Sequence, residues 1–405
     1  MIDDNGTPDF TEDDFLPSPI EDDGRNIGDD NRDGLLDTDE IWLYEADREV
    51  TPGQYRNVAE VVAFDIRGEA DRELVMDDDP SHHFGLDPDL LDDFVVIGND
   101  KGPDSLPLVT VINPELGLDI AQFLAYEEEY RGGVRVAIGD MTGDGIPEIV
   151  TAPGKGRIPE IRVFARELDI GLNEWVELPE FRTLAYDLDF TGGVNIAIAD
   201  IDGDGRNDIV TTPSRFAAET KVFANTGIGE DPILDIPIRE FFAFGPDFIS
   251  GSVVTTADMN LDDRPEIIVG NAGGLRSTIL VYDVVESPTV IDSFFPFDDD
   301  FRGGVWIDLG EVTPDDTPDL VVGASYRGQS EVEVIDGDSG ALLTSFVAYT
   351  DVTRNAPVRL VIEDDGVVDR IITVQGPNGE TNEIRSFELF FDEGEWIVDF
   401  DPLFS

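Results

Sequence analysis

One phrase of sequence returns along this chain, and it limits the possible folds more than any other feature. Val134-Arg135-Val136-Ala137-Ile138-Gly139-Asp140 leads into Met141-Thr142-Gly143-Asp144-Gly145-Ile146-Pro147-Glu148-Ile149-Val150. Val194-Asn195-Ile196-Ala197-Ile198-Ala199-Asp200 leads into Ile201-Asp202-Gly203-Asp204-Gly205-Arg206-Asn207-Asp208-Ile209-Val210, and the phrase recurs from Asp258 to Val269 and from Glu311 to Val322. A repeat at a fixed period means one supersecondary unit stacked several times, each copy too small to bury its own apolar face. The same residues carry an acidic loop, so fold and chemistry are read from one pattern.

From Phe94 onward, short apolar runs alternate with Gly, Pro and Asp turns, the pattern of an all-β region. The unit reads as an inner strand (Val134 to Gly139), the acidic loop, a second strand (Ile149 to Ala152), a Gly-rich loop (Pro153 to Pro159) and a third strand (Ile161 to Phe164). After a variable excursion an outer strand ends in Thr183-Leu184-Ala185-Tyr186. That ending returns at Ala125-Tyr126, Ala243-Phe244, Pro296-Phe297 and Ala348-Tyr349. Four strands at this period predict a β-propeller. Five units start near Val134, Val194, Ser252, Val305 and Val358, and a sixth, Phe94 to Tyr126, lacks an inner strand of its own. Six blades are expected, with seven as the alternative, and the first blade is expected to borrow an inner strand from residues 56–64, because open sheet edges invite aggregation.

In each loop, positions one, three, five and nine offer side-chain oxygens. The third loop has Asp200, Asp202, Asp204 and Asp208; the second has Asp140, Thr142, Asp144 and Glu148. The fourth has Asp258, Asn260, Asp262 and Glu266, with Asp263 where glycine is wanted; the fifth has Glu311, Thr313, Asp315 and Asp319, with Asp316 in that place. Hard oxygen donors suit calcium rather than zinc or copper. Affinity is expected to fall from the third loop to the second, fourth and fifth, and the shortened loop Asp364-Asp365-Gly366 with Asp369 is expected to hold no ion. The competing reading is an acidic hairpin turn without metal. Near the N-terminus, Asp29, Asn31, Asp33, Asp37 and Glu40, with Gly34, fit a twelve-residue calcium loop. The strand-like Ile41-Trp42-Leu43-Tyr44 after it argues against an EF-hand. His82 and His83 are adjacent on an extended segment and read as structural.

The formal net charge of -64 over 405 residues repels nucleic acid and anionic lipid and concentrates cations. Adaptation to high salt and a surplus of metal-binding carboxylates both account for it. Hydrophobic content of 40% suffices for packed cores. There is no cysteine, so disulfides and thiol chemistry are excluded, leaving bound cations as possible cross-links. No stretch reads as a membrane span and no signal peptide is visible, which leaves a cytoplasmic protein or the downstream part of a longer exported chain. Scarce cations recur after the second strands, at Lys101, Lys155 with Arg157, Arg215, Arg276 and Arg327. They read either as partners of acidic turns such as Glu127-Glu128-Glu129 and Asp298-Asp299-Asp300, or as a ring that recognises an anionic polysaccharide or acidic partner.

The region from residue 87 onward resembles FG-GAP (VCBS-like) repeats, the calcium-bearing blades also seen in integrin α-subunit propellers, and Asp200 to Asp208 matches the full D-x-D-x-D-G-x-x-D of that family. Residues 1–86 look like the second half of an immunoglobulin-like repeat of bacterial surface adhesins. The motifs are Val50-Thr51-Pro52-Gly53-Gln54-Tyr55-Arg56-Asn57-Val58-Ala59 and Asp77-Asp78-Asp79-Pro80-Ser81-His82-His83-Phe84-Gly85, with the strands preceding Asp3 missing. The resemblances imply a partial β-sandwich followed by a calcium-stabilised propeller, serving as an extracellular or cell-surface binding or adhesion module. A glycan or protein ligand, a monomeric fragment, no membrane insertion and no catalysis are the accompanying expectations. The alternative is a propeller enzyme acting on polysaccharide, a lyase or glycosidase, which needs a convergent acid–base pair that the sequence does not single out.

Overall fold

The computed structural model describes residues 94–349 except 104, 114–117, 170–171, 218, 228–231, 234–235, 314–316 and 326–329; the strands 358–363, 370–375, 384–392 and 395–401; and, before residue 94, only 2–3, 18–22, 25–27, 44–45, 53–64 and 74–85. The N-terminal calcium-loop residues Asp29, Asn31, Asp33, Asp37 and Glu40 lie outside the described residues, as do Asp315, Asp316, Arg327 and the shortened loop at Asp364. The chain divides into two compact units, Met1–Asp93 and Phe94–Ser405.

In the first unit, Gly53–Phe64 pairs antiparallel along its whole length with Leu74–Gly85, from Gly53↔Gly85 to Phe64↔Leu74, and Ile2–Asp3 pairs on its other side. Residues 56–64 are therefore not the borrowed inner strand of a blade. They belong to a three-stranded sheet of their own, with partners on both edges.

The second unit is a six-bladed β-propeller. Blade 1 has the strands Val95–Gly98, Leu108–Asn113 and Leu118–Leu124. Blades 3 to 6 begin with the inner strands Val194–Ala199, Ser252–Ala257, Val305–Gly310 and Val358–Glu363, and each continues through three more antiparallel strands in chain order. Blade 2 runs Val134–Gly139, Glu148–Pro153, Glu160–Asp169 and Leu172–Glu177, and Thr183–Leu184 also pairs with its third strand. The expected excursion before Thr183 is thus itself a strand: the third strand is long enough to fold back as a hairpin, with Asp169 opposite Leu172.

The second strands read as apolar runs because they are covered on both faces. All six residues of Glu148–Pro153, Asp208–Pro213, Glu266–Asn271 and Asp319–Ala324 are buried. Apolar clusters fill the spaces between successive blades. Val150, Val163, Val194 and Ile209 pack between blades 2 and 3, and Val210, Val254 and Ile267 between blades 3 and 4. Equivalent clusters join blades 1 and 2, 4 and 5, and 5 and 6.

The aromatic that closes each repeat locks the next blade in place. Tyr126, Tyr186 and Tyr349 donate their hydroxyls to Glu160 O (3.0 Å), Glu219 O (2.8 Å) and Thr373 O (2.8 Å). Each hydroxyl also lies 3.2–3.3 Å from a second-strand threonine, Thr151, Thr211 or Thr373. Where the repeat has Phe244 or Phe297 instead, the equivalent second-strand residue is Val269 or Val322. A buried hydroxyl without a partner costs about 1–3 kcal/mol, which explains why the two positions change chemistry together.

Blade 1 differs from the rest. A Cβ on Gly98 would meet Val134 O at 2.5 Å, as one on Gly323 would meet Val358 O at 3.0 Å, so Val95–Gly98 occupies a second-strand position. Among the described residues no inner strand pairs with it. The described contact between blades 6 and 1 is polar: Arg359 of the last inner strand donates to Asp100, just past Gly98.

Candidate metal centre

The acidic loops connect inner and second strands, so all lie at one end of the blades. Their backbones are shaped by their own carboxylates. Asp200 Oδ1 accepts the amides of Gly203 (2.8 Å) and Asp204 (3.1 Å), and its Oδ2 accepts that of Gly205 (2.8 Å). Asp140 holds Gly143, Asp144 and Gly145 in the same way, and Asp258 holds Asp262 and Asp263. Position nine closes the loop from the other side. Asp208, fully buried, accepts Ile201 N (3.1 Å) and Asp202 N (3.2 Å) on Oδ2 and Asn225 N (2.9 Å) on Oδ1. Asp319 repeats this arrangement with Thr313 N (2.7 Å) and Gly337 N (3.1 Å). Glu148 and Glu266 reach Met141 N and Met259 N at 2.8 and 2.9 Å. The spacing read as a ligand pattern is therefore also a turn-forming pattern.

What separates the loops is convergence. Ligand oxygens of Asp200, Asp202 and Asp208 all lie within 4.8 Å of one another, the one such acidic trio among the described residues. Oxygens bound at 2.3–2.6 Å on opposite sides of a calcium ion stand about 4.6–5.2 Å apart, so the trio fits such an ion. Asp204 is not part of it; its Oδ1 accepts Arg206 N at 3.0 Å. Asp144 and Asp262 likewise cap Ile146 and Arg264. In the fourth loop the Asn260 side-chain amide donates to Glu266 Oε1 at 2.7 Å, tying up two candidate ligands. Thr142 holds to Glu148 through its own amide, 3.1 Å from Oε2. Glu311 and Thr313 enter the fifth loop, and Asp315 lies outside the described residues.

Burial, and then crowding by neighbouring carboxylates, raises these acids. Desolvation drives Asp208 up to about 7 against the pull of the amide of Asn225. It drives Glu266 up to about 7, and Asp202 upward too, with Asp204 adding to the latter. Two left-handed turn positions recur in the loops, filled by Gly143 and Gly145 and by Gly203 and Gly205, all with φ between 77° and 87°. In the fourth loop they fall to Leu261 (φ 58°) and Asp263 (φ 65°). The strain expected at Asp263 is present, and the sequence reading missed the one at Leu261. It also missed Asn225, whose Nδ2 donates to Met141 O (2.8 Å) and Asn207 O (3.1 Å), joining the second and third loops. The Phe223-Ala224-Asn225 after a third strand was its only signal.

The opposite end of the blades sorts the scarce cations. Arg157 pairs with Glu127 (2.9 Å) and Glu160 (2.8 Å), and Arg276 pairs with Asp299 (2.7 Å), as the acidic-turn reading expects. Lys101, Lys155 and Arg215 have no carboxylate within 4.0 Å among the described residues.

No family model matches the chain, and no curated protein matches it. Solved structures similar to it include AofleA from Arthrobotrys oligospora, at 11% identity and a TM-score of 0.45 over 77% of this chain and 87% of that one. Hsv2 from Kluyveromyces lactis matches at 11% identity and 0.37, over 89% and 94%. The exotype rhamnogalacturonan lyase YesX matches at 14% identity and 0.34, over 90% and 68%. Likeness at this level concerns the fold alone. Among the described residues no helix is long and apolar enough to cross a membrane.

Proposed function

We propose that this chain is a calcium-stabilised binding or adhesion module that works outside the cell and has no catalysis of its own. The observation that carries the reading is the convergence of Asp200, Asp202 and Asp208 at the spacing of one ion's ligands. A cation there converts repulsion between the buried Asp208 and the more accessible Asp200 and Asp202 into a cross-link between the inner and second strands of blade 3. Asn225 extends that cross-link to blade 2 through Met141 O. The ion's role is structural, because the loop carboxylates already serve to cap the backbone amides of their own turns. The module then presents the rest of its surface to a glycan or protein ligand.

The test is a melting curve in calcium and in chelator, on the wild type and on Asp202→Asn. Stabilisation by calcium that the variant loses supports the reading; an identical curve in calcium and chelator removes it. Turnover of a polysaccharide by the purified chain would replace it with the enzyme reading, a lyase or glycosidase.

A further inference from the structure

Lys101, Lys155 and Arg215 occupy one structural position in three successive blades. Gly133, Gly193 and Gly251, each at positive φ just before an inner strand, press against it. A Cβ on these glycines would meet Lys101 N at 2.8 Å, Lys155 N at 3.1 Å and Arg215 N at 2.7 Å. The close approach sets the backbones of the three residues at the same end of successive blades, the end opposite the acidic loops, and their charges lie near enough for Arg215 and Lys155 to act on Lys101. Two of the chain's three lysines are here. Burial lowers the pKa of Lys101, and the nearby charges of Arg215, Lys155 and Arg135 lower it further against the opposing pull of Asp100.

The next layer down the axis is also cationic. Arg135 and Arg359, second residues of their inner strands, share the single carboxylate of Asp100, with Arg135 at 3.5 Å. Both guanidinium groups lie over the Trp306 ring, at 5.8 and 4.8 Å. Arg359 Nε is buried without a hydrogen-bond partner. Lys101 and Lys155 open onto a cleft of about 690 Å³ that Tyr130, Arg131, Arg157, Glu127 and Glu129 also line, with Glu127 already paired to Arg157. On a chain of net charge -64, Lys101, Lys155, Arg215, Arg135 and Arg359 gather here against the carboxylate of Asp100 and, in the cleft, those of Glu127 and Glu129.

The residue after Arg215 adds an apolar surface. Phe216 is 58% exposed yet held at φ 76°. Left-handed backbone is strained for a bulky residue and persists where its surroundings fix it. Here Phe216 N donates to Ile249 O (3.1 Å), Gly251 N donates to Phe216 O (3.1 Å), and the ring stands edge-on to Phe190 at 6.0 Å.

We propose that this end of the axis binds an acidic polysaccharide, its carboxylate or sulfate groups falling to Lys101, Lys155 and Arg215 and the face of a sugar ring to Phe216. This deepens the binding-module reading, on which it rests, by naming the ligand class. Lysines act as point charges that accept several anion geometries, which suits a chain of acidic sugars in varied registers. The exposed ring favours a sugar over an acidic peptide, because a pyranose has an apolar C–H face and oligoglutamate has none.

The experiment is calorimetric titration of the full chain, in calcium, with hexagalacturonate, a heparin-type sulfated hexasaccharide, maltohexaose and hexaglutamate. One or both acidic sugars bind, maltohexaose does not, and K101Q/K155Q/R215Q weakens binding at least tenfold without moving the melting temperature. Phe216→Ala weakens the sugar but not free sulfate. Lys221→Gln, which removes a lysine paired with Glu219 elsewhere, leaves binding unchanged and controls for net charge. Single Lys101→Glu reports the same loss if the triple variant does not fold. Failure of both acidic sugars to bind, undiminished binding by the triple variant, or equal binding of hexaglutamate overturns the proposal. Any of these, with calcium stabilisation intact, leaves the calcium reading standing.

Discussion

Glu127 and Asp208 sit at opposite ends of the propeller, and their surroundings move them in opposite directions. The Arg157 hydrogen bond holds Glu127 down to about 2, while burial drives Asp208 up to about 7. At Glu127 the counter-charge is built into the chain, with Arg157 and Arg162 at 2.9 and 3.0 Å. At Asp208 the nearest charges are other carboxylates, and backbone amides are the only polar partners among the described residues. In the proposed reading, the counter-charge that Arg157 and Arg162 supply to Glu127 comes to Asp208 from a bound cation. The acidic loops still fold, because Asp140, Asp200 and Asp258 at position one and the carboxylates at position nine double as amide acceptors.

The strongest way to break that comparison is to remove the doubled role. Asp208→Ala strands the buried amides of Ile201 and Asn225 and the half-buried amide of Asp202, and is expected to cost about 3 kcal/mol, with or without calcium, as read by the urea midpoint. If the loss appears only with calcium present, the carboxylate is purely a ligand. Calcium itself comes next. Extracellular modules bind with dissociation constants of ~10⁻⁴–10⁻³ M, so 10 mM ion, roughly 10 to 100 times that, adds about 1.4–2.7 kcal/mol. Asp202→Asn is expected to abolish that gain while leaving stability in chelator unchanged, since Asp202 is exposed and its side chain supports only Asp204 N. A calcium response that survives in Asp202→Asn would move the ion to another loop.

A smaller effect separates the third loop from the fourth. Asp263→Gly relieves a left-handed residue and is expected to raise the urea midpoint by an amount worth about 0.5–1 kcal/mol, whereas Gly205→Asp is expected to lower it by a similar amount. Equal insensitivity of both loops would mean the turn tolerates side chains freely. The smallest expected effect lies at the paired end. Glu127 has a folded pKa below its unfolded value, so its contribution is present above about pH 4.5 and is lost as pH falls toward 2. The stability gap between wild type and Arg157→Gln should therefore narrow between pH 5 and 3. Glu127 is 56% exposed, so screening keeps the gap modest. A gap that widens on acidification would contradict the pairing.

Much of this was legible in the residues. The all-β class, the blade period and the six inner, second or outer strands followed from apolar runs and turn residues. The third loop was singled out by its carboxylates and glycines, and it is the loop whose acidic side chains converge among the described residues. The recurring aromatic ending was legible, but its pairing of Tyr126, Tyr186 and Tyr349 with Thr151, Thr211 and Thr373 was not, because it depends on which strands touch. Other features could not be seen. Asp204 has the same type and spacing as its neighbours, and only the backbone path shows that it caps Arg206 instead of joining the trio. The extra strand at Leu172–Glu177 has no counterpart in the repeat, so its hairpin was invisible in a period-based reading.

The sequence by itself determined the repeating strand unit, because apolar alternation and turn chemistry are local and act within a few residues. It also determined that carboxylates would crowd at one end of the four units that carry the full acidic loop. Only the tertiary structure decided which charges meet. Lys101, Lys155 and Arg215 are separated by more than fifty residues at each step and become neighbours because rigid blades repeat around a common axis. Arg359 finds Asp100 because the chain's last inner strand comes back to its first blade. Such long-range juxtapositions depend on rotation between blades, which the packing of whole sheets sets and no short stretch of residues encodes.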